Sequence, residues 1–387
     1  MSFLFFVNIL ALLFSFFVIG ALLGAAFSKP FRKKLLGRLQ EYRFLLTRSV
    51  RNPILMPGAT PWTAEAVLNP AAIVLGGRTH LVYRAIGMDG VSRLGYASSG
   101  EGFIFDDRPP YPVYVVQNPR NSKGGVRRYS PVLYPSGGSW GGCEDPRMVA
   151  IDGQIYVTYN AFDGWDFIRV AFTSISEEDF LAKRFSRWSA PKLLSPEGER
   201  HKNWVLFPEK INGKFAILHN LHTTDPNHVC VEYIDDLAAY DPKRNPIKSA
   251  DPAATPPRAI AWHHRMRSAG PPPVKTEYGW LVLYHATSEN EGHRYKLGAM
   301  LLDLQDPTKV RARAQAPILA PDEHYENNGK PGIVYACGAV VRDDTLFVYY
   351  GGADKVVCVA TSPLKTFLDA LLEEDSPSLS PQAARIS

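Results

Sequence analysis

One strand–turn–strand unit recurs five times between Arg51 and Thr361, and this recurrence constrains the fold more than any other feature of the chain. The copies occupy residues 69–85, 145–161, 207–220, 270–286 and 337–352, the third slightly shorter than the others. Each has a short apolar run, a turn rich in Gly, Asp or Asn, and a second run ending in aromatic or polar residues. Turns of that chemistry between β-branched and aromatic runs are hairpin signals. Another strand-like run follows each hairpin, at 92–97, 167–172, 229–233, 296–302 and 356–360. Short β units repeated in this way argue for a propeller. The expected fold class is all-β, a five-bladed β-propeller over 51–365. Helical pattern is confined to short pieces, at 177–183 and 364–373. Residues 366–387 read as the end of a terminal helix and a disordered tail.

Residues 3–27 are nearly all apolar, long enough to span a bilayer. No Lys or Arg precedes them, whereas Lys29, Arg32, Lys33, Lys34 and Arg38 follow. That order predicts a single N-terminal transmembrane helix at 1–28 and a basic juxtamembrane stalk at 29–50. The body of the protein is then expected on the cytoplasmic side of the membrane. An atypical signal peptide cut near Gly24-Ala25-Ala26 is the alternative. Net charge is only +5, with no basic stripe interleaved with aromatics, so a nucleic-acid partner is not expected. Cys143, Cys230, Cys337 and Cys358 are widely spaced and read as free thiols rather than a zinc site. His263 and His264 lack a third ligand at supportive spacing, and no metal is expected.

In a propeller the inner strands line a central funnel. Polar residues at their ends here are Asn69, Arg84, Glu144, Asp145, Glu209, His219, Lys275, His285 and Asp354. Charged groups are poor core material without partners, and such a ring suits the wall of a polar ligand site. The densest part is the octapeptide 141–148, where Glu144, Asp145 and Arg147 sit between a glycine pair and a strand-like run. Pro146 fixes one dihedral just after the acids. The plain structural reading is a surface Glu-Asp turn with Arg147 as its ion-pair partner.

Taken in order, these runs resemble glycoside hydrolase family 130, the β-mannoside phosphorylases and related mannosidases. The resemblance rests on 51–54, 81–85, Cys143-Glu144-Asp145-Pro146-Arg147, 203–210, the Gly-Pro-Pro-Pro-Val-Lys-Thr-Glu-Tyr-Gly-Trp run at 270–280, Tyr284-His285, 297–299 and 350–354. It implies inverting phosphorolysis of a β-mannoside to α-mannose 1-phosphate, with inorganic phosphate as co-substrate and no cofactor. Asp145 is implied as the general acid, acting through a sugar hydroxyl. Asn69, Arg84 and Asp354 are implied as mannose contacts, with Glu144, Arg147 and Glu209 expected beside them as substrate-binding residues. Lys202, Asn203, Lys275 and His285 are implied on the phosphate side, since anionic phosphate needs cations. Two departures stand out. Asn220 replaces an Arg common in the family's phosphorylases, and Arg265 and Arg267 bring charges not expected before the proline run. A phosphate-independent β-mannosidase would need a carboxylate base facing Asp145, for which Glu209 is the first candidate and Glu289 or Glu291 the next. A third reading is a non-catalytic, membrane-tethered propeller that binds glycan or protein; Asp145 in an intact Glu-Asp-Pro-Arg run counts against it. The segment 111–140 reads as a long loop ahead of the second copy.

Overall fold

A computed structural model describes residues 46–116, 127–164, 167–221, 223, 225, 227–248 and 261–373. Strand β1 (Thr47–Arg48) opens the described chain. The first copy forms β2 (Ala66–Leu75) and β3 (Arg78–Ile86), and β4 (Val91–Ser99) follows it. The second forms β5 (Gly141–Ile151) and β6 (Gln154–Asp163), followed by β7 (Ile168–Ser176) and the short β8 (Lys192–Leu193). The third gives, among the described residues, β9 (Val205–Leu206), β10 (Phe215–Asn220) and β11 (Cys230–Ile234). The fourth gives β12 (Arg265–Ala269), β13 (Val274–Thr276), β14 (Gly279–Ser288), β15 (Glu291–Leu302) and β16 (Val310–Arg313). The last gives β17 (Val334–Arg342), β18 (Thr345–Gly352) and β19 (Val356–Pro363).

The all-β reading holds, but the five-bladed expectation is corrected. Hydrogen bonding among the described residues makes four sheets, of seven, three, five and four strands, and not five closed blades. The first two copies merge in one sheet, β2-β3-β4-β5-β6-β7-β8. Parallel pairing of Val91 with Gly141 and Ser92 with Gly142 joins them. Gly142 permits that contact: its φ is 110°, and a Cβ there would lie 2.1 Å from the Ser92 carbonyl oxygen. Only a residue without a side chain tolerates both conditions.

The membrane readings are corrected too. Among the described residues no helix is long and apolar enough to cross a membrane. The expected span at 1–28 lies outside the described residues, as does most of the expected stalk. What is described of the stalk is not helical. Thr47 and Arg48 form β1, paired antiparallel with Thr361 and Ala360. Arg48 donates from Nε and Nη2 to the two carboxylate oxygens of Glu326, at 2.8 and 2.9 Å. Glu326 is fully buried and also accepts from Tyr350 Oη at 2.8 Å. A buried carboxylate needs such partners, so the basic residue serves the fold here rather than a lipid surface.

Apolar clusters fill the spaces between neighbouring copies. Val82, Tyr96, Met148, Val157 and Tyr159 pack the first against the second, with Phe180 and Phe185 between them. Leu206, Ile217 and Trp204 meet Val149 and Phe172. Phe207 meets Trp280 and Val282. Tyr83 and Leu81 meet Tyr349 and Val359. Helix α1 (Glu177–Leu181) buries Phe180 and is capped by Ser176 Oγ, which accepts from the Asp179 N–H. Helix α2 (Leu364–Leu372) buries Phe367, Leu368 and Leu371 against the last two copies. The tail beyond 373 lies outside the described residues. All four cysteines are free, and three of them are buried.

Gly142 tests the merged sheet. Gly142→Ala is expected to cost about 3 kcal/mol or more, combining a positive φ with a backbone clash. Gly153→Ala, with φ 74° and no atom within 4 Å of the added Cβ, is expected to cost about 1 kcal/mol. Urea unfolding of both variants measures the difference, and equal losses would contradict the close β4–β5 approach.

Candidate active site

Two bulges aim the central side chains. The β2–β3 register breaks between Leu68 and Ala71, and the β5–β6 register breaks between Glu144 and Arg147. The residues skipped include Asn69-Pro70 in one strand and Asp145-Pro146 in the other. Proline has no N–H for the ladder and disfavours a right-handed helical residue before it. Asn69 and Asp145 nevertheless share a left-handed backbone, with φ of 49° and 51°, a region that Asn and Asp tolerate better than most side chains. A bulge re-aims side chains out of the sheet alternation. Here the two meet, Asn69 Nδ2 donating to Asp145 Oδ1 at 2.7 Å. Gly351 leaves the room, since a Cβ there would lie 2.1 Å from Asn69 Oδ1.

Arg84, from β3, is the hub of a buried charge cluster. It donates from Nη1 to Asp145 Oδ1 at 3.1 Å and from Nη2 to Glu144 Oε1 at 2.8 Å. Its Nε donates to Ser92 Oγ, and Nη2 also reaches Ser139 Oγ and the Ser136 carbonyl. Glu144 is fully buried and accepts further from Ser139 Oγ, Ser136 Oγ and Lys202 Nζ, at 3.0, 2.8 and 2.9 Å. The two adjacent carboxylates therefore have different surroundings. Glu144 is fully engaged beneath the site, whereas Asp145 lines the cavity itself. Burial by itself pushes the Asp145 carboxyl up. The nearby cations Arg84, Lys202 and Arg147, with the Asn69 hydrogen bond, outweigh burial and hold it down to about 2.

The surface-turn reading of the octapeptide fails, because Glu144, Asp145 and Arg147 are all buried. Arg147 does not grip the Asp145 carboxylate. It donates to the Asp145 carbonyl at 2.7 Å, to Asn203 Oδ1 at 2.9 Å and to the carbonyls of Gly270 and Ala269. It fastens the bulge to the fourth copy. Lys202, Asn203, Arg84, Asn69 and Asp354 line the same cavity as Asp145. His285 does not line it. Its Nε2 accepts the Ala336 N–H at 2.9 Å, its Nδ1 lies 3.1 Å from Ser268 Oγ, and its ring stacks 3.9 Å from that of Tyr335. Burial first, then Arg147, lowers its pKa to about 3, so the ring is neutral and holds Ser268 and Tyr335 at the cavity wall.

Glu209 and Lys275 are not part of the cavity wall. They pair with each other at 2.6 Å on the surface, with side chains 46% and 53% exposed. Strand β9 ends at Leu206, so Glu209 already lies past the inner strand, and Lys275 lies on β13 beyond the proline run. Glu289 is exposed, and Glu291 is bound to Lys296 Nζ at 2.6 Å; neither lines the cavity. The sequence reading missed Asn160, whose amide bonds Asn203 Oδ1 at 2.9 Å while its Oδ1 accepts the Asn203 N–H at 2.8 Å. It also missed Ser136, Tyr295, Lys330 and Tyr335, all on the cavity wall. Tyr335 is the second residue of β17, two residues before Cys337, a placement that the aligned copies could have flagged.

The family model described as beta-1,4-mannooligosaccharide phosphorylase matches residues 38–373. A 1,2-beta-oligomannan phosphorylase of Thermoanaerobacter sp. (strain X514) is 37% identical over 334 residues, covering 83% of this chain and 98% of the relative. A beta-1,2-mannobiose phosphorylase of the same organism is 33% identical over 332 residues, covering 82% and 97%. The solved structure of a beta-1,2-mannobiose phosphorylase from Listeria innocua, in complex with beta-1,2-mannobiose, superposes with a TM-score of 0.61 at 23% identity, over 84% of this chain and 99% of the other. That last likeness speaks to fold alone. Against the single-pass membrane placement expected from the sequence, the family model matches residues 38–373, and among the described residues no helix is long and apolar enough to cross a membrane.

Two measurements test the charge cluster. Arg84→Met strands two buried carboxylates and is expected to cost about 3–5 kcal/mol, whereas Lys275→Met breaks only a surface pair and is expected to cost under about 1 kcal/mol. Urea unfolding compares them. The depressed Asp145 pKa stabilises the fold fully above about pH 4, and that contribution, on the order of 2 kcal/mol, is lost as pH falls through about 2. Asp145→Asn is therefore expected to flatten the acid limb of the stability–pH curve over that window; an unchanged limb would contradict the depression.

Proposed function

We propose that this chain, which belongs to glycoside hydrolase family 130, is an enzyme that cleaves β-mannosides with inorganic phosphate, releasing α-mannose 1-phosphate. The single observation that carries phosphorolysis is the charge of the cavity wall. Among the described residues, Arg84, Arg200, Lys202, Arg267 and Lys330 stand there against the carboxylates of Asp145 and Asp354, with Glu144 behind Arg84 and Lys202, which leaves cations in excess. Such a wall favours an anion, and Arg and Lys are the natural holders of phosphate. An inverting hydrolase would place a carboxylate base across the sugar from its acid. Glu209, Glu289 and Glu291, the candidates for that base, lie off the cavity wall.

In this reading Asp145 is the general acid. Asn69, Arg84 and Asp354 hold the mannosyl unit, with Glu144 fixing Arg84 from below. Lys202 and Asn203 face the phosphate, and Arg147 and His285 position the wall rather than touch the anion. A phosphate oxygen forms a bond to the anomeric carbon from the face opposite the leaving group. The glycosidic C–O bond breaks, and the Asp145 proton passes through a sugar hydroxyl to the departing oxygen. Phosphate brings its own negative charge, so no general base is required. With no anion beside them, the cations keep Asp145 ionised. A phosphate dianion beside Lys202 and Arg84 offsets the cations that depress it, so co-substrate binding itself loads the acid with its proton. The two relatives matched over nearly their whole length carry β-1,2 linkages in their names, which makes β-1,2-mannobiose the first substrate to try and β-1,4-mannobiose the second.

Phosphorus NMR on the purified protein with each mannobiose is expected to show a sugar 1-phosphate signal that depends on added phosphate. Asp145→Asn is expected to lower kcat by roughly a thousandfold, and Glu209→Gln to leave it near the wild-type value. Free mannose released at the same rate without phosphate would overturn phosphorolysis.

A further inference from the structure

Arg267 stands apart from the other cavity cations for which partners are described. Arg84 is bound by Glu144, Asp145 and three serines, and Lys202 by Glu144 and Ser136. Lys330 donates to the Pro135 carbonyl at 3.0 Å and lies 3.4 Å from Asp354. Among the described residues Arg267 has no carboxylate or carbonyl within hydrogen-bonding distance. Its guanidinium lies 5.9 Å from the centre of the Tyr295 ring. A ring face orients the planar guanidinium while leaving its N–H edges unpaired.

The backbone sends it there. The β12–β14 register breaks between Met266 and Ser268, which makes Arg267 the extra residue of a bulge. Asn69 and Asp145 reach the cavity by the same device, in the corresponding strands of the first two copies. Met266 on one side is fully buried in the core, and Ser268 on the other is fastened to His285 and Tyr335. Arg267 is thus carried on a rigid element, half-buried, with its side chain on the cavity wall beside Ser268 and Tyr335. A cation held without a counter-ion in a partly desolvated wall is complementary to an anionic ligand.

We infer that Arg267 is a specificity-determining residue for the anionic co-substrate, clamping two phosphate oxygens through its fork of N–H groups. The inference rests on the phosphorylase reading and adds to it which cation selects phosphate over water as the nucleophile. Arg267 contributes no proton and makes no bond; it raises the occupancy and fixes the orientation of the attacking oxyanion. Its neighbour Arg265 is exposed and off the cavity wall, so the two arginines have different duties.

The test compares Arg267→Met, Arg267→Lys and Arg265→Met in the full chain, each checked for an unchanged melting temperature. Initial rates of mannose 1-phosphate formation from mannobiose are read against phosphate concentration, and phosphate binding is read directly by calorimetry. Arg267→Met is expected to raise the phosphate KM and Kd roughly 30-fold while leaving the mannobiose KM within about twofold. Arg267→Lys, which keeps the charge but loses the fork, is expected to fall between, and Arg265→Met to match wild type. If wild type forms mannose 1-phosphate and Arg267→Met keeps its phosphate KM, the inference fails and the phosphorylase reading stands. If Arg267→Met raises the mannobiose KM instead, Arg267 is a sugar contact and the inference also fails. If wild type forms no mannose 1-phosphate, both fall together.

Discussion

The contact on which the site depends is the fork from Arg84 to Glu144 and Asp145. It brings two neighbouring carboxylates into the protein interior, where neither is stable without a cation. Its energetic character follows from burial: an ion cluster of this kind adds modest net stability when complete and costs several kcal/mol when one member is removed. Its chemical consequence is asymmetry. Glu144 takes its share of Arg84, both serines and Lys202 and has nothing left to offer a ligand. Asp145 keeps one oxygen toward the cavity, with only the long 3.5 Å contact to Asn160 on it. One fork thus makes one acid structural and leaves the other available for proton transfer.

Around that fork the fold works by interrupting its own strands. Asn69, Asp145 and Arg267 all sit where a ladder register breaks, and each is turned toward the cavity by the break. Intact strands between them carry the packing, with side chains such as Val82, Val157 and Val282 fully buried. Stability and chemistry are therefore separated along each strand. Arg147 ties the second copy to the fourth through the Gly270 and Ala269 carbonyls, so the acid and the proposed phosphate clamp are held on one connected frame.

Much of this was readable in the chain. Aligning the copies placed Asn69 and Asp145 at equivalent positions, each ahead of a proline, and the structure gives them the same backbone. The all-β class followed from the hairpin signals. The blade count did not carry through, because a repeat in sequence is not a repeat in hydrogen bonding: the β4–β5 pairing turns on the absent side chain of Gly142, which hydropathy does not register. Glu209 and Lys275 matched the pattern in residue type but not in reach, since β9 is two residues long and the proline run carries Lys275 outward. Arg147 was read as a substrate contact; in the structure it holds the carbonyls of Asp145, Gly270 and Ala269, partners set by which acceptors the fold brings near. Ser136 lies in irregular chain, and Arg48 finds Glu326 across 278 residues; no local pattern announces either.

In the proposed mechanism the cations of the wall keep Asp145 ionised until phosphate arrives. The most direct measurement is carbon-13 NMR of the labelled aspartate carboxyls, with the Asp145 signal identified by its loss in Asp145→Asn, titrated with and without saturating phosphate. The carboxyl is expected to titrate near pH 2 in the free protein and distinctly higher once phosphate is bound. A signal that titrates in the ordinary carboxylate range without phosphate, or that phosphate leaves unmoved, would contradict it.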